Sequence, residues 1–92
     1  MDKCVRDMSF GALVKGLRVK AGLTLRRAAE LHGMDPGNLS KMERNLLPPP
    51  SSARKVGLFV FPYSPSEVER ELVLVAAFNQ RLSKLREDFN AH

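Results

Sequence analysis

The sequence is poor in the residues that build covalent, metal and catalytic sites. It has one cysteine, Cys4, and two histidines among 92 residues. One thiol cannot form an internal disulfide, and so few ligands leave no metal-binding spacing. There is also no Ser-His-Asp or Cys-His set and no glycine-rich phosphate loop. We therefore expect no metal, no cofactor and no enzymatic activity.

Long hydrophobic runs are absent as well. The longest, Leu72 to Phe78, has seven residues, whereas ~20 are needed to cross a bilayer. The chain does not open with the basic and then apolar pattern of a signal peptide. With 43% hydrophobic and 27% charged residues, the composition is that of a globular protein. We expect one domain with a modest core, in a reducing cytoplasm.

Basic residues are concentrated in the first part of the chain. Residues 1–55 hold 11 Lys and Arg against 5 Asp and Glu, a net +6, whereas residues 56–92 hold 4 against 5, a net −1. Such an asymmetry, with a sequence pI of about 9.9, is typical of a polyanion-binding surface. The alternative is a solvated basic face that keeps a small protein soluble.

Helical periodicity dominates, and strand patterns are nearly absent. Polar N-caps and glycine or proline stops divide the chain into five helices, so the expected fold class is all-α. Asp35 followed by Pro36 is a strong start signal, and Asn45 can end that helix in a left-handed conformation. The segment Ser64 to Glu67 is typical of a capping box with Pro65 at the first helical position. The expected helices cover residues 10–21, 25–32, 36–44, about 52–60 and 65–90.

Two of these segments have the features of a helix-turn-helix. A glycine-containing turn joins the short helices 25–32 and 36–44, and Ala28 and Ala29 allow them to cross closely. Such a pair can present its second helix to the DNA major groove. The sequence GLTLRRAAELHGMDPGNLSKMERNLLPP resembles the helix-turn-helix of the lambda-repressor-like (Xre/Cro-type) transcription-regulator family, and its NLSKMER stretch is the most specific part.

The resemblance implies a role for each matching position. Lys41 suits guanine and Asn38 suits adenine, while Gly37 would let the backbone approach DNA closely. For Arg26 and Arg27, phosphate contact and simple solvation both stay open. The implied base-reading residues are Pro36, Gly37, Asn38, Ser40 and Lys41. Arg44 and Asn45 match family positions near the phosphate backbone, and the free N–H groups at the start of the second helix add an anchor there. The expected phosphate-contacting residues are Thr24, Arg26, Arg27, Arg44 and Asn45.

The resemblance also assigns structural roles and reveals departures. Arg18 and Glu43 match a family pair that forms an internal salt bridge between the first and third helices. Leu25 stands where the family has a phosphate-contacting glutamine, and Asn45 stands where it usually has glycine. His32 replaces a buried aliphatic residue, and we expect it to be a hydrogen-bonded core residue rather than a pH sensor.

The last predicted helix is longer than the rest of the domain can cover. Its 26 residues would extend ~39 Å, and its apolar residues recur at heptad spacing, although Glu71 interrupts the first heptad. One apolar face would cover the core and the other would bind a second copy of the chain. The alternative is a fifth helix of a monomeric domain. The expected interface residues are Val75, Phe78, Leu82, Leu85 and Phe89.

Together these features predict a homodimeric, sequence-specific transcription regulator that represses through a palindromic operator in double-stranded DNA. Its expected parts are a flexible arm over residues 1–8, a DNA-binding helix-turn-helix domain over 9–61 and a dimerisation helix within 62–92. One alternative is an antitoxin whose last helix masks a toxin. Another is a protein-interaction module without DNA binding, and RNA binding by the basic face also stays open.

Overall fold

A computed structural model describes the backbone of residues 9–90 and the side chains of residues 9–87. The expected all-α class is confirmed for this range, whose regular structure is entirely helical. The predicted arm over residues 1–8 and the side chain of Phe89 lie outside the described residues. None of the helices in residues 9–90 is both long and apolar enough to span a membrane. The helices are α1 (Phe10–Lys20), α2 (Leu25–His32), α3 (Pro36–Glu43), α4 (Ala53–Val60), a 3₁₀ turn (Phe61–Tyr63) and α5 (Glu67–Asn90).

Short polar side chains start the first four helices where the sequence predicts them. Each accepts a hydrogen bond from a backbone N–H in the first turn of its helix, and so satisfies one of the donors that a helix leaves unpaired. Left-handed residues end the helices: Gly33 has a φ of 66° after α2, and Asn45 has a φ of 62° after α3, as expected. The capping residues are Ser9, Thr24, Asp35 and Ser52.

The predicted start of the last helix is wrong. Ser64 has a left-handed φ of 50° and its N–H closes the 3₁₀ turn on the carbonyl of Phe61, so it cannot adopt the extended conformation of an N-cap. The capping box begins at Ser66 instead. Its hydroxyl accepts from the Glu69 N–H at 3.1 Å, and the Glu69 carboxylate accepts from the Ser66 N–H at 2.8 Å. Pro65 therefore precedes the helix rather than opening it.

One apolar core joins all five helices. α1 packs against α3 and α5, α2 against α3, and α4 against α5. Ala21, expected to be the last residue of α1, is instead its exposed C-cap. The buried core residues are Phe10, Val14, Leu17, Ala28, Ala29, Leu39, Val56, Val60, Tyr63, Val73, Ala76 and Ala77.

His32 lies at the edge of this core among aromatic rings. Its ring stacks on Phe59 at a centroid distance of 4.1 Å, and its Nε2 lies 2.8 Å from the Tyr63 hydroxyl. Burial lowers the pKa of His32, against the smaller raising effect of Glu43, and burial also raises the pKa of Tyr63 to about 12. His32 is therefore hydrogen-bonded, as expected, but it is half-buried at the edge of the core rather than within it.

A close contact at Gly11 ties the start of α1 to the end of α3. The Gly11 N–H donates to Oδ1 of Asn45 at 2.9 Å, and Nδ2 of Asn45 donates to the Ser9 hydroxyl at 3.0 Å. A Cβ on residue 11 would overlap the backbone carbonyl of Glu43. Only glycine fits this position, a constraint that the sequence pattern does not reveal.

We therefore expect alanine substitutions at two glycines of α1 to have opposite effects on the free energy of unfolding. Gly11→Ala should lower the free energy of unfolding by roughly 1–3 kcal/mol, because the backbone of α3 must move. Gly16 is exposed, and a Cβ there meets nothing within 4 Å. Gly16→Ala should therefore raise stability by roughly 0.5–1 kcal/mol through helix propensity. Urea unfolding followed by circular dichroism measures both; equal effects of the two substitutions would contradict the close contact.

Candidate nucleic-acid interface

The outer face of α3 is polar and exposed, while its inner face is buried. Leu39 and Glu43 point into the domain, with exposed fractions of 0% and 8%. Gly37, Lys41 and Arg44 are exposed and follow one another at spacings of four and three residues. At 100° per residue these three positions share one side of the helix, opposite the buried pair.

The predicted base-reading residues all lie on or beside this outer face. Pro36, Gly37, Asn38 and Lys41 are exposed, and Ser40 is half-buried at the flank. At the start of the helix the Asp35 carboxylate accepts from the Gly37 N–H at 2.8 Å. The face therefore offers the amine of Lys41, the amide of Asn38 and the hydroxyl of Ser40. The carboxylate of Asp35, at its edge, is already hydrogen-bonded to the Gly37 N–H.

Among the predicted phosphate-contacting residues, Arg26 and Arg44 are the most available. Both are exposed, and the only hydrogen bond that the Arg44 side chain makes with the described residues is a long one, 3.4 Å from Nε to the Ser40 carbonyl. Arg27 is exposed but forms an ion pair of 3.0 Å with Glu30. Such an exposed pair contributes little stability and can be exchanged for another anion.

Thr24 and Asn45 already have intramolecular partners. The Thr24 hydroxyl accepts from the Arg27 N–H at 3.1 Å and so caps α2. Both amide atoms of Asn45 bond to the start of α1, as described above. The backbone N–H groups at the start of α2, beside Thr24, could still face an anion. The side chain of Asn45 instead connects α1 to α3.

A buried ion pair fixes α3 against α1. Nε of Arg18 donates to Oε2 of Glu43 at 2.8 Å, and a second guanidinium nitrogen donates to Oε1 at 3.2 Å. The third nitrogen donates to the carbonyl of Leu23 at 2.9 Å. The expected salt bridge is thus present, and its two side chains are only 10% and 4% exposed. It sets the position of α3, and hence of the outer face.

Arg81 of α5 forms a second connection, which the sequence analysis did not predict. Its guanidinium donates to the carbonyls of Pro49, Pro50 and Ser51 in the loop after α3. The three prolines 48–50 have no N–H, so this loop supplies few backbone donors to its own carbonyls, and the guanidinium satisfies them instead. The only available hint was a long basic side chain on a helix that must cross a triple-proline loop.

Within residues 9–87, no three His, Cys, Asp or Glu side chains come together in a metal-binding group. None of the buried side-chain N or O atoms in the same range lacks a hydrogen-bond partner. The exposed cations of α2 and α3 are the groups that could neutralise a polyanion.

Comparison with known proteins gives no relative for this chain. No protein-family model, no curated protein and no solved structure matches it.

Removing one partner of the buried ion pair should destabilise the domain strongly. Glu43→Gln leaves the Arg18 guanidinium buried without a counter-charge, which should cost about 3–5 kcal/mol of unfolding free energy. The double variant Arg18→Met/Glu43→Leu should recover much of this loss, because an apolar pair needs no charge desolvation.

Glu30→Gln is the matched control, since it breaks the exposed pair with Arg27 and should cost at most about 1 kcal/mol. Chemical denaturation measures all three variants. A cost for Glu43→Gln no larger than that for Glu30→Gln would contradict the role of the buried pair.

Proposed function

We propose that the chain is a sequence-specific DNA-binding regulator of transcription that inserts α3 into the major groove. The observation that carries the proposal is the exposed face of α3, where Gly37, Lys41 and Arg44 lie opposite the buried Leu39 and Glu43. A helix of ~10–12 Å diameter fits a major groove ~12 Å wide. In this proposal α2 and α3 form a helix-turn-helix of the lambda-repressor-like kind.

The exposed residues of α3 that can reach the base edges in the major groove would read the DNA sequence. Lys41 can donate to O6 and N7 of guanine, and the amide of Asn38 can pair with adenine. Pro36 and Gly37 carry no long side chain, so the first turn of α3 can approach the bases closely. Ser40, at the flank, can reach either a base edge or a phosphate oxygen.

Phosphate contacts would hold the helix in this orientation. Arg44 is exposed one turn along from Lys41, and Arg26 is exposed at the start of α2. The first N–H groups of α2, beside the Thr24 cap, can donate to a phosphate oxygen. The net +6 of residues 1–55 supports this assignment, because neutralising phosphates supplies much of the affinity for DNA.

The proposed regulator acts as a repressor and as a homodimer on a palindromic operator. A homodimer accounts for the exposed apolar residues of α5, which a monomer would leave in water: Val75, Phe78, Leu82 and Leu85. The same observation favours a second candidate, an antitoxin whose α5 covers a toxin. The antitoxin would be favoured if this chain copurified with the product of a neighbouring small gene and no longer formed homodimers in that complex.

The test of the function is selection of bound sequences from random duplex DNA at physiological salt. A palindromic consensus with two half-sites is expected, since a two-fold dimer repeats its contacts about one helical turn away. Binding without any consensus would contradict sequence-specific regulation. Absence of salt-dependent DNA affinity would favour a protein-interaction module.

Lys41→Ala should relax the preference at one base position. We expect a loss of roughly 1–3 kcal/mol on the selected site and a smaller loss on a site already changed at that base. Lys15→Ala is the matched control, because it removes the same charge from an exposed position on α1. Competition binding to single-base variants measures both. An equal loss on every sequence would reassign Lys41 to phosphate contact.

Arg44→Ala should weaken binding about equally on all sequences. The slope of log K against log[salt] should become shallower by ~1 for each half-site, because one fewer counterion is released. Arg70→Ala removes the same charge from an exposed position on α5 and should leave the slope unchanged. Titrations at several salt concentrations measure this effect. A wild-type slope in Arg44→Ala would remove this residue from the phosphate contacts.

A further inference from the structure

A surface groove begins beside Ser9, the first described residue. Ser9 and Phe10 border its near end, at the start of α1. Its far end lies between the loop after α3 and the last turns of α5, and has a volume of about 670 Å³. Asn45, Gln80 and Ser83 border both ends, so the two parts are continuous. The groove therefore starts where the chain enters α1.

The two walls of the groove differ in polarity. The loop wall is apolar: Leu46 is 62% exposed, Leu47 is half-buried and Pro48 is exposed. The α5 wall is largely polar, and its side chains follow the buried Ala76 at spacings of four, seven, eight and eleven residues, on the same side of the helix. Its polar residues include Gln80, Ser83, Lys84 and Glu87. An occupant that suits both walls needs one apolar side and one polar side.

Contacts within the domain fix the shape of this groove. Arg81 of α5 donates to the carbonyls of Pro49, Pro50 and Ser51, which sets the separation of the α5 wall from the loop wall. At the near end, the amide of Asn45 bonds to Ser9 and Gly11. The groove is thus preformed, and an occupant does not have to open it.

The eight residues before Ser9 have the required two-sided pattern. Their sequence is MDKCVRDM, in which four residues are charged and four are not. Positions i, i+3, i+4 and i+7 share one side of a helix, and these positions hold the uncharged residues. A helix this short is not stable alone in water, so the segment needs an apolar surface to pack on. The uncharged residues are Met1, Cys4, Val5 and Met8.

Length and connectivity favour this segment over any other occupant. As a helix, eight residues extend ~12 Å, and the α5 wall from Gln80 to Glu87 extends ~11 Å. The covalent link through Ser9 keeps the segment at the groove with an effective concentration in roughly the millimolar range. A second copy of the chain or a different protein would have to displace it.

We propose that residues 1–8 occupy this groove as an amphipathic helix. Its apolar side packs against Leu46 and Leu47, and its charged side lies toward α5 and solvent. This arrangement replaces the flexible arm that the sequence analysis predicts. It goes beyond the proposed function, because it requires neither DNA nor a second subunit and is tested without either.

Cys4 reports on the docking, because it is the only cysteine of the chain. The rate of its reaction with a chromogenic thiol reagent is divided by the rate for the same variant unfolded in urea, which cancels differences in intrinsic reactivity. A docked segment exposes the thiol only when it opens, so the wild type should react at least ~10-fold more slowly than Val5→Ser/Met8→Ser. Arg6→Ser, on the charged side, is the matched control and should keep the protection. Equal normalised rates in the wild type and in Val5→Ser/Met8→Ser would overturn the proposal.

Disulfide formation with Cys4 identifies the groove as the docking site. Leu46→Cys and Leu47→Cys each place a second thiol on the loop wall, and Lys15→Cys places one on the exposed side of α1. An undocked segment would reach all three positions, because the chain from Cys4 to Ser9 can extend ~17 Å. A docked segment predicts a rapid disulfide within one chain for a loop-wall cysteine and a slow one for Lys15→Cys.

The other outcomes of the disulfide experiment contradict the proposal. Equal rates at the loop wall and at residue 15 would mean that the segment does not prefer the groove. A covalent dimer, identified by mass, would assign the groove to the segment of a second copy and would overturn docking within one chain. Circular dichroism of each variant before oxidation verifies that the domain is folded.

Discussion

The arrangement of the domain depends on the buried pair of Arg18 and Glu43. These charges leave water only because the guanidinium reaches both carboxylate oxygens and the carbonyl of Leu23, which compensates much of the cost of desolvation. The pair joins α1 to the last turn of α3, so the buried side of α3 is fixed and its outer side is fixed with it. The orientation of the outer face is therefore a consequence of core electrostatics.

Much of the fold could be predicted from the sequence because much of it is local. Caps such as Thr24 and Asp35 act within one helical turn, and apolar spacing tells which side of each helix is buried. The start of α5 was missed because the backbone of Ser64 is set by the 3₁₀ turn before it rather than by its own side chain. Gly11 was missed because its constraint comes from a carbonyl 32 residues further along the chain.

The candidate site was predictable to a similar extent. The family resemblance placed Lys41 and Arg44 on the exposed side of α3, and it also supplied the pairing of Arg18 with Glu43. Sequence reasoning could not tell which polar groups are already engaged, because that depends on contacts between helices. Asn45 illustrates this limit, since its amide bonds both Ser9 and Gly11.

The contact of Arg81 with the proline loop divides α5 into two parts of unequal local stability. Before Arg81, residues such as Val73 and Ala77 are held in the core. Beyond it, side chains such as Lys84 and Leu85 are exposed, so the last turns of an isolated chain can unwind without disturbing the rest. Hydrogen exchange of a monomer would accordingly be graded along this one helix. Binding of any partner to the distal part would then be coupled to local folding.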